Sequence, residues 1–295
     1  MITRSDIANR LTYGIRAGFL MGQEEYLPAY TEVARETESD GKDETYSDLL
    51  AVPMPRTFVD EVTPRGFGEV ALTITNQKFE LTIKIDHDAI NDDRVGDVET
   101  TAREAGQRFP QHLDKLVFQA LNGGDTTTFG KCYDGGAFFS NAHVESKGSY
   151  QTAQSNLAAL ALSNTNFNTV WVNANGLLDS EGEVVPYNYN LLVVPPALND
   201  AAVQIAENAE KAGTPNRDKN PYSGKIRYIV NKYLDTTAWI LIAGGEVRKP
   251  IILQMRQRPT FTTWDNELID ARYYKWEARY NVGYSNWRLA YMGNS

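Results

Sequence analysis

Cysteine is almost missing from this chain. Cys132 is the single one in 295 residues, which excludes an intrachain disulfide and a thiolate metal cluster and suits a reducing cytosol. Histidine is scarce as well. His87, His112 and His143 have no second His or Cys at ligand spacing, and neither HExxH nor CxxC occurs, so no metal site and no cofactor is expected. The sequence also lacks GxSxG, P-loop and GxGxxG motifs, and with them the usual signals of a nucleophile elbow or a phosphate cradle. No run approaches the ~18 apolar residues of a membrane span, and the opening MITRSDIANRLTYG has no apolar signal-peptide core. An excess of positive charge is missing too. The formal net charge of −9 argues against a protein that grips nucleic acid through clustered Lys and Arg, though not against one lying beside packaged nucleic acid. Repeats and low-complexity tracts are absent.

What the chain does have is one long helical pattern, Asp97 to Asn122. Val98, Ala102, Ala105, Phe109, Leu113, Leu116 and Ala120 recur at steps of three and four and form one stripe. Glu99 precedes Arg103, and Glu104 precedes Arg108, by the four residues that let acid and base meet on a helix surface. Gly123 and Gly124 mark the stop. Such a helix would run roughly 39 Å, enough to cross a domain. Pro110 lacks an N–H and crowds the carbonyl of Gly106. The stripe keeps its phase through the proline, so one helix with a bend at Gly106 and Pro110 is expected, a break with a short loop being the alternative.

Around this helix the patterns change. Ile7, Leu11, Ile15 and Phe19 would line one side of a short N-terminal helix that Gly14 and Gly18 weaken, so residues 1–57 are expected to be an arm stabilised by a partner. Glu36 to Thr45 (ETESDGKDET) looks like a solvated loop. In Phe58 to Asp86, Val70, Leu72 and Ile74 alternate with polar residues, as do Phe79, Leu81, Ile83 and Ile85. Asn76-Gln77 lies between the runs, giving a hairpin over 58–86 that must rest on something else. After residue 149 an α/β alternation sets in. Helices are expected over Gln154 to Leu162, Asn166 to Asn173 and Ala197 to Lys211. Strands are expected over Asn190 to Pro195, Lys225 to Asn231 and Trp239 to Ala243. The loop Gly213 to Gly224 is polar and exposed. Residues 246–295 return to strands, over Lys249 to Thr260, Tyr273 to Gly283 and Tyr284 to Met292. Sixteen Tyr and five Trp, dense in this last part, suit cores and interfaces alike.

Chemistry-bearing residues read more simply as structure. Asp86, Asp88, Asp92, Asp93 and Asp97 suit turn and helix-start charge better than paired glycosidase acids. Arg4, Arg10 and Arg16 read as solvated helix charge, offset by Glu24, Glu25 and Glu32. A Lys78–Asn76 isopeptide link would need a carboxylate in a dry pocket, and exposed turn residues are the simpler reading.

Four blocks carry a resemblance. ITNQKFELTIKIDHDAINDD, LDKLVFQAL at the end of the long helix, CYDGGAFFSNAH, and RKPIILQMRQRP with YKWEARYNVGYSNWRLAYMGNS are similar to the major head proteins of Mu-like phages. The similarity spans most of the chain and is weakest from about Tyr150 to Gly245. It implies the Hong Kong 97-like tailed-phage capsid fold, an α+β architecture. Its parts here would be an N-terminal arm (1–57), an extended β-hairpin (58–86) and a peripheral domain (87–149) with spine helix 97–122. An inserted α/β axial domain (150–245) and return strands of the peripheral β-layer (246–295) would complete it. The implied function is that of a non-catalytic major capsid protein, found in the virion and in host cytoplasm during assembly. Copies would join as pentamers and hexamers around double-stranded DNA. The further partners implied are a separate scaffolding protein, a portal and a decoration protein. Candidate inter-subunit contacts are Asn76, Gln77, Lys78 and Phe79 at the hairpin tip and Arg217, Asp218, Lys219 and Asn220 in the axial loop. Two rival readings are an encapsulin-type compartment holding a cargo enzyme and a carboxylate-based hydrolase.

Overall fold

The computed structural model describes residues 4–49, 69–86, 95–145, 150–211, 218–245, 247–266 and 268–294. Along the chain run α1 (Arg4–Glu25), β1 (Ala34–Glu38), β2 (Asp43–Leu49), β3 (Glu69–Thr75), β4 (Gln77–Asp86) and α2 (Val95–Asn122). β5 (Leu157–Ala158), α3 (Asn164–Asn175), β6 (Tyr189–Val194), α4 (Asn199–Ala206), β7 (Arg227–Val230) and β8 (Trp239–Ala243) follow. β9 (Ile251–Asn266), β10 (Ala271–Tyr284) and β11 (Ala290–Gly293) close the chain.

The expected long helix forms as α2 and remains continuous through Pro110. The glycines that weaken α1 on its own are what let it pack. Gly14, Gly18 and Gly22 share one face at steps of four, and a Cβ on Gly22 would strike the main chain of α2 at Arg103. The partner for the first helix is thus the chain's own spine, with the two helices running in the same direction. Leu11, Ile15 and Phe19 from α1 and Ala102, Ala105 and Phe109 from α2 bury together over one face of a β-sheet. Phe19 stacks on Trp276 of that sheet at 4.4 Å.

That sheet has four strands in the order β1-β9-β10-β4. β1 comes from the segment expected to be loop and arm. It pairs parallel with β9, Ala34 opposite Ile251, while β9, β10 and β4 run antiparallel. Charges in Glu36 to Glu38 suited a solvated loop, but an edge strand tolerates them well.

The second sheet has five strands in the order β5-β11-β8-β6-β7 and is covered on both faces. Leu191, Val193, Ile240 and Ile242 face a core that also takes Val117, Phe118 and Leu121 from the end of α2. Leu192, Val194, Trp239 and Leu241 face the other way, towards α3 and α4. Burial on both faces is why these strands read as unbroken apolar runs. The first of these cores also holds Ile251, Leu253, Val282 and Tyr284, so the C-terminal half of α2 seats between the two sheets.

Several expectations need correcting. β3 and β4 do not form a hairpin together. One residue, Asn76, separates them, and the chain crosses there from one sheet to another: β3 pairs with β2 from Asp43–Thr75 to Leu49–Glu69, and β4 pairs with β10. The extended ribbon is therefore β2–β3, and its outer end leads into residues 50–68, which lie outside the described residues. The helix expected over Gln154 to Leu162 is instead a bridge at Gln154 and the short strand β5. The helix expected over Ala197 to Lys211 stops at Ala206. The last strand, β11, belongs to the five-stranded sheet between β5 and β8, so that sheet takes a strand from outside residues 150–245.

Candidate functional site

The residues expected at a hairpin tip lie at the root of the ribbon. The Asn76 amide donates to Ser39 Oγ and to the Gly41 carbonyl, both at 2.9 Å, and its main-chain N–H donates to Lys42 O at 2.8 Å. Glu44 closes the same turn by accepting from the Gly41 N–H at 2.8 Å and from the Ser39 hydroxyl at 3.0 Å, and these bonds hold its carboxyl below the usual range. Gln77 lies opposite Tyr280 in the four-stranded sheet. Lys78 forms an ion pair of 2.8 Å with Glu277, and Phe79 stacks on Tyr280 at 4.5 Å. Asn76 to Phe79 are thus engaged within the chain. Three further bonds fix the ribbon to the body. Buried Gln254 accepts from the Tyr46 hydroxyl at 2.9 Å and donates to Ile74 O at 3.3 Å, and the Asn281 amide donates to Thr75 O at 2.7 Å.

In the loop after α4, Glu210 and Lys219 form an isolated antiparallel bridge across the base of what is termed the tongue; its residues 212–217 lie outside the described residues. Asp218 and Lys219 are exposed on it, and Arg217 lies outside the described residues. Asn220 departs from the expectation of an exposed contact. It is buried, and its amide donates to the carbonyls of Gln204, Ile205 and Asn208, closing the C-terminal end of α4.

A buried polar cluster that sequence reasoning missed surrounds the segment that links β10 to β11. Asn156 donates to the carbonyls of Phe138, Trp287 and Ala290, and its Oδ1 faces the Ser140 N–H at 2.9 Å and His143 Nε2 at 3.0 Å. His143 Nδ1 faces Asp134, and the imidazole stacks on Trp287 at 4.2 Å. Next to it Arg288 pairs with Glu145 at 2.6 Å and donates to the Tyr133 hydroxyl at 2.8 Å and to Leu178 O at 2.7 Å. Burial works against the Arg288 charge, but Tyr133 and Glu145 outweigh it and hold its pKa above the ordinary arginine value. Burial pushes the Tyr133 hydroxyl and the Cys132 thiol up. An Asp–His pair can suggest catalysis, but both side chains are at most 5% exposed and Trp287 covers the imidazole. Part of the sequence signal is present: Tyr133, Asp134, His143, Trp287 and Arg288 fall in the blocks CYDGGAFFSNAH and SNWRLAYMG, where polar groups sit among aromatics, while Glu145 and Asn156 lie outside them. Among the described residues no group of three His, Cys, Asp or Glu is placed to hold a metal ion, and no helix is long and apolar enough to cross a membrane.

Residues 8–161 and 235–295 match the family described as Mu-like prophage major head subunit gpT. The chain belongs to that family. The match covers most of α1, the ribbon, α2, the buried polar cluster and β8 to β11. Outside it lies residues 162–234, with α3, α4 and the tongue, the part where the resemblance was also weakest. Among curated proteins the gpT-family chain is 30% identical over 138 residues to the Mu-like prophage FluMu major head subunit of Haemophilus influenzae, covering 47% of this chain and 44% of that protein. It is 30% identical over 128 residues to the major capsid protein of Escherichia phage Mu, covering 43% of this chain and 41% of that protein. These matches therefore span less than half the length of the curated relatives. Among solved structures, the procapsid of bacteriophage JBD30 superposes with a TM-score of 0.61 at 23% identity, covering 98% of this chain and 75% of that one. The fold is the Hong Kong 97-like capsid fold, as an α+β arrangement of arm, ribbon, spine helix and two sheets.

Proposed function

We propose that this gpT-family chain is a major capsid protein, which assembles with copies of itself, as pentamers and hexamers, into the icosahedral head of a tailed phage or prophage. The observation that carries the reading is the family match over the ribbon, the spine and the closing strands. Its work is geometric rather than catalytic, and the shell encloses double-stranded DNA without sequence-specific binding. The net charge of −9 supports enclosure rather than grip. Assembly takes place in the host cytoplasm with a separate scaffolding protein, a portal and a decoration protein. The ribbon of β2 and β3, rather than residues 58–86, takes the role of the extended loop. Asp218 and Lys219, exposed on the tongue, are contacts to neighbouring copies. Family membership favours a phage head over a cargo compartment, and the sealed His143–Asp134 pair weighs against a hydrolase.

Size-exclusion of the expressed chain, alone and with the products of adjacent genes, tests this. Particles or rings are expected, and a monomer or dimer under every condition would overturn it. Within the same reading, α2 changes curvature at Gly106 and Pro110 as the shell matures. Pro110→Ala should then alter the ratio of immature to expanded heads, and an unchanged ratio would remove that role.

A further inference from the structure

A cavity of 130 Å³ opens where the ribbon meets the four-stranded sheet. Ser47 of β2 and Leu72 of β3 line it from the ribbon. Arg35 of β1, Ile252 of β9, Lys249 just ahead of β9 and Ser285 just after β10 line it from the body. β1 pairs parallel with β9, Arg35 opposite Ile252, which brings Arg35 and Lys249 to the same end of neighbouring strands.

The two cations lack a counter-charge. Among the described residues neither Arg35 nor Lys249 forms an ion pair, and no carboxylate lines the cavity. Arg248, also in the lining, already has a partner. Glu44 lies three residues before Ser47, but its carboxylate is taken up by the Gly41 N–H and the Ser39 hydroxyl. Acids are plentiful in a chain of net charge −9, and elsewhere Arg103, Arg227, Arg258 and Lys275 each meet one. The Ser47 and Ser285 hydroxyls make no hydrogen bond among the described residues. Like charges facing one cavity repel, and an anion between them removes that cost.

We propose that this cavity binds a free phosphate dianion. Arg35 and Lys249 match its two charges, and the Ser47 and Ser285 hydroxyls supply uncharged donors. A phosphodiester of nucleic acid carries one charge rather than two and would bring two bulky arms to a cavity of this size. Ribbon and body both contribute to the lining, so bound phosphate ties one to the other and stabilises the ribbon in the orientation seen here. The site is complete within one chain and does not depend on the assembly proposed above.

Calorimetric titration of the full expressed chain with inorganic phosphate tests this, at a mildly alkaline pH where the dianion prevails and against chloride at equal ionic strength. A single saturable site per chain is expected for phosphate and none for chloride. Arg35→Ala,Lys249→Ala should weaken binding by roughly tenfold or more, because two charge-assisted contacts are lost. Lys219→Ala,Lys225→Ala removes the same charge from exposed positions away from the cavity and should leave binding unchanged. Phosphate should also slow hydrogen exchange in residues 43–49 and 69–75 of the unmodified chain, and not in the Arg35→Ala,Lys249→Ala variant. A DNA duplex without terminal phosphates should not compete. If the double variant does not fold, Lys249→Ala alone, in the loop ahead of β9, is read in its place. The proposal is overturned by an unmodified chain that shows no saturable binding, by binding that survives loss of the two cations, or by an equal loss in the charge-matched control. Competition by the duplex, or ribbon exchange that phosphate leaves unmoved, overturns it as well.

Discussion

Gly106 of α2 lies so close to the main-chain carbonyl of Phe19 on α1 that a Cβ there would collide with the oxygen. Gly22 stands in the same relation to the carbonyl of Arg103. The obstacle is backbone in both cases, so neither helix can yield by turning a side chain. Gly106→Ala should force the helices apart and cost about 1–3 kcal/mol, the usual range for overpacking. Denaturant unfolding measures the loss, and limited proteolysis should show the arm cut sooner. Gly136→Ala is a fitting control, since its Cβ would meet only Asp134 Oδ1, at 3.6 Å, and no change is expected.

Removing one member of the buried pair between Arg288 and Glu145 should be among the most damaging single changes. Both side chains are almost wholly buried. Glu145→Ala leaves a buried guanidinium charge with only Tyr133 and Leu178 as acceptors among the described residues. A loss of about 3–5 kcal/mol is expected by equilibrium unfolding. Arg288→Met combined with Glu145→Ala should cost less than the sum of the two single changes, because neither charge is then stranded.

Stability should fall on the acid side in two separable steps. Hydrogen bonds from Lys78 and then Lys275 hold the Glu277 carboxyl at about 2, against an ordinary 4.5. The fold favours the charged form, so this contribution is complete above pH 4.5 and is lost as pH falls towards 2. His112 acts at higher pH. Burial, and then the nearby Lys115 charge, push its ring below the ordinary 6.5. The fold favours the neutral ring, so stability is complete above pH 6.5 and declines as pH falls below it. Melting temperatures across pH should show Glu277→Gln flattening only the lower step and His112→Gln only the upper one.

Gln254 should govern how firmly the ribbon is held. Gln254→Leu strands the Ile74 carbonyl and removes the acceptor of the Tyr46 hydroxyl, a loss of roughly 1–3 kcal/mol for buried polar groups left unpaired. Hydrogen exchange should speed up in residues 43–49 and 69–75 while the five-stranded sheet stays protected. Uniform acceleration through both sheets would mean that Gln254 supports the body and not the ribbon alone.

The sequence made the elements more legible than their partners. The stripe from Val98 to Ala120 identified α2, and the alternation in Leu72–Ile74 and Phe79–Ile85 identified two strands. What it could not carry was pairing. A single residue between β3 and β4 looks like a tight turn until Asn76 is seen tied back to Ser39, Gly41 and Lys42. β2 hid inside an acidic stretch because Asp43 and Glu44 spend their charge locally, on Thr75 and on the turn before them. Leu157 and Ala158 looked helical, but the neighbouring Asn156 side chain fixes this segment to three distant carbonyls, and tertiary bonding overrides local preference. In the sequence the glycines of α1 signal only weakness, whereas in the fold their face is one half of a close helix contact. Of the candidate contacts, Asp218 and Lys219 are exposed as expected, while Asn220 was drawn inward by the unpaired carbonyls at the end of α4.

Negative-stain electron microscopy of the expressed chain, with and without the products of its neighbouring genes, tests the central claim most directly. Closed shells of uniform diameter with icosahedral outlines are predicted in the presence of those products. Fields containing only particles of monomer or dimer size, under every combination, would contradict it.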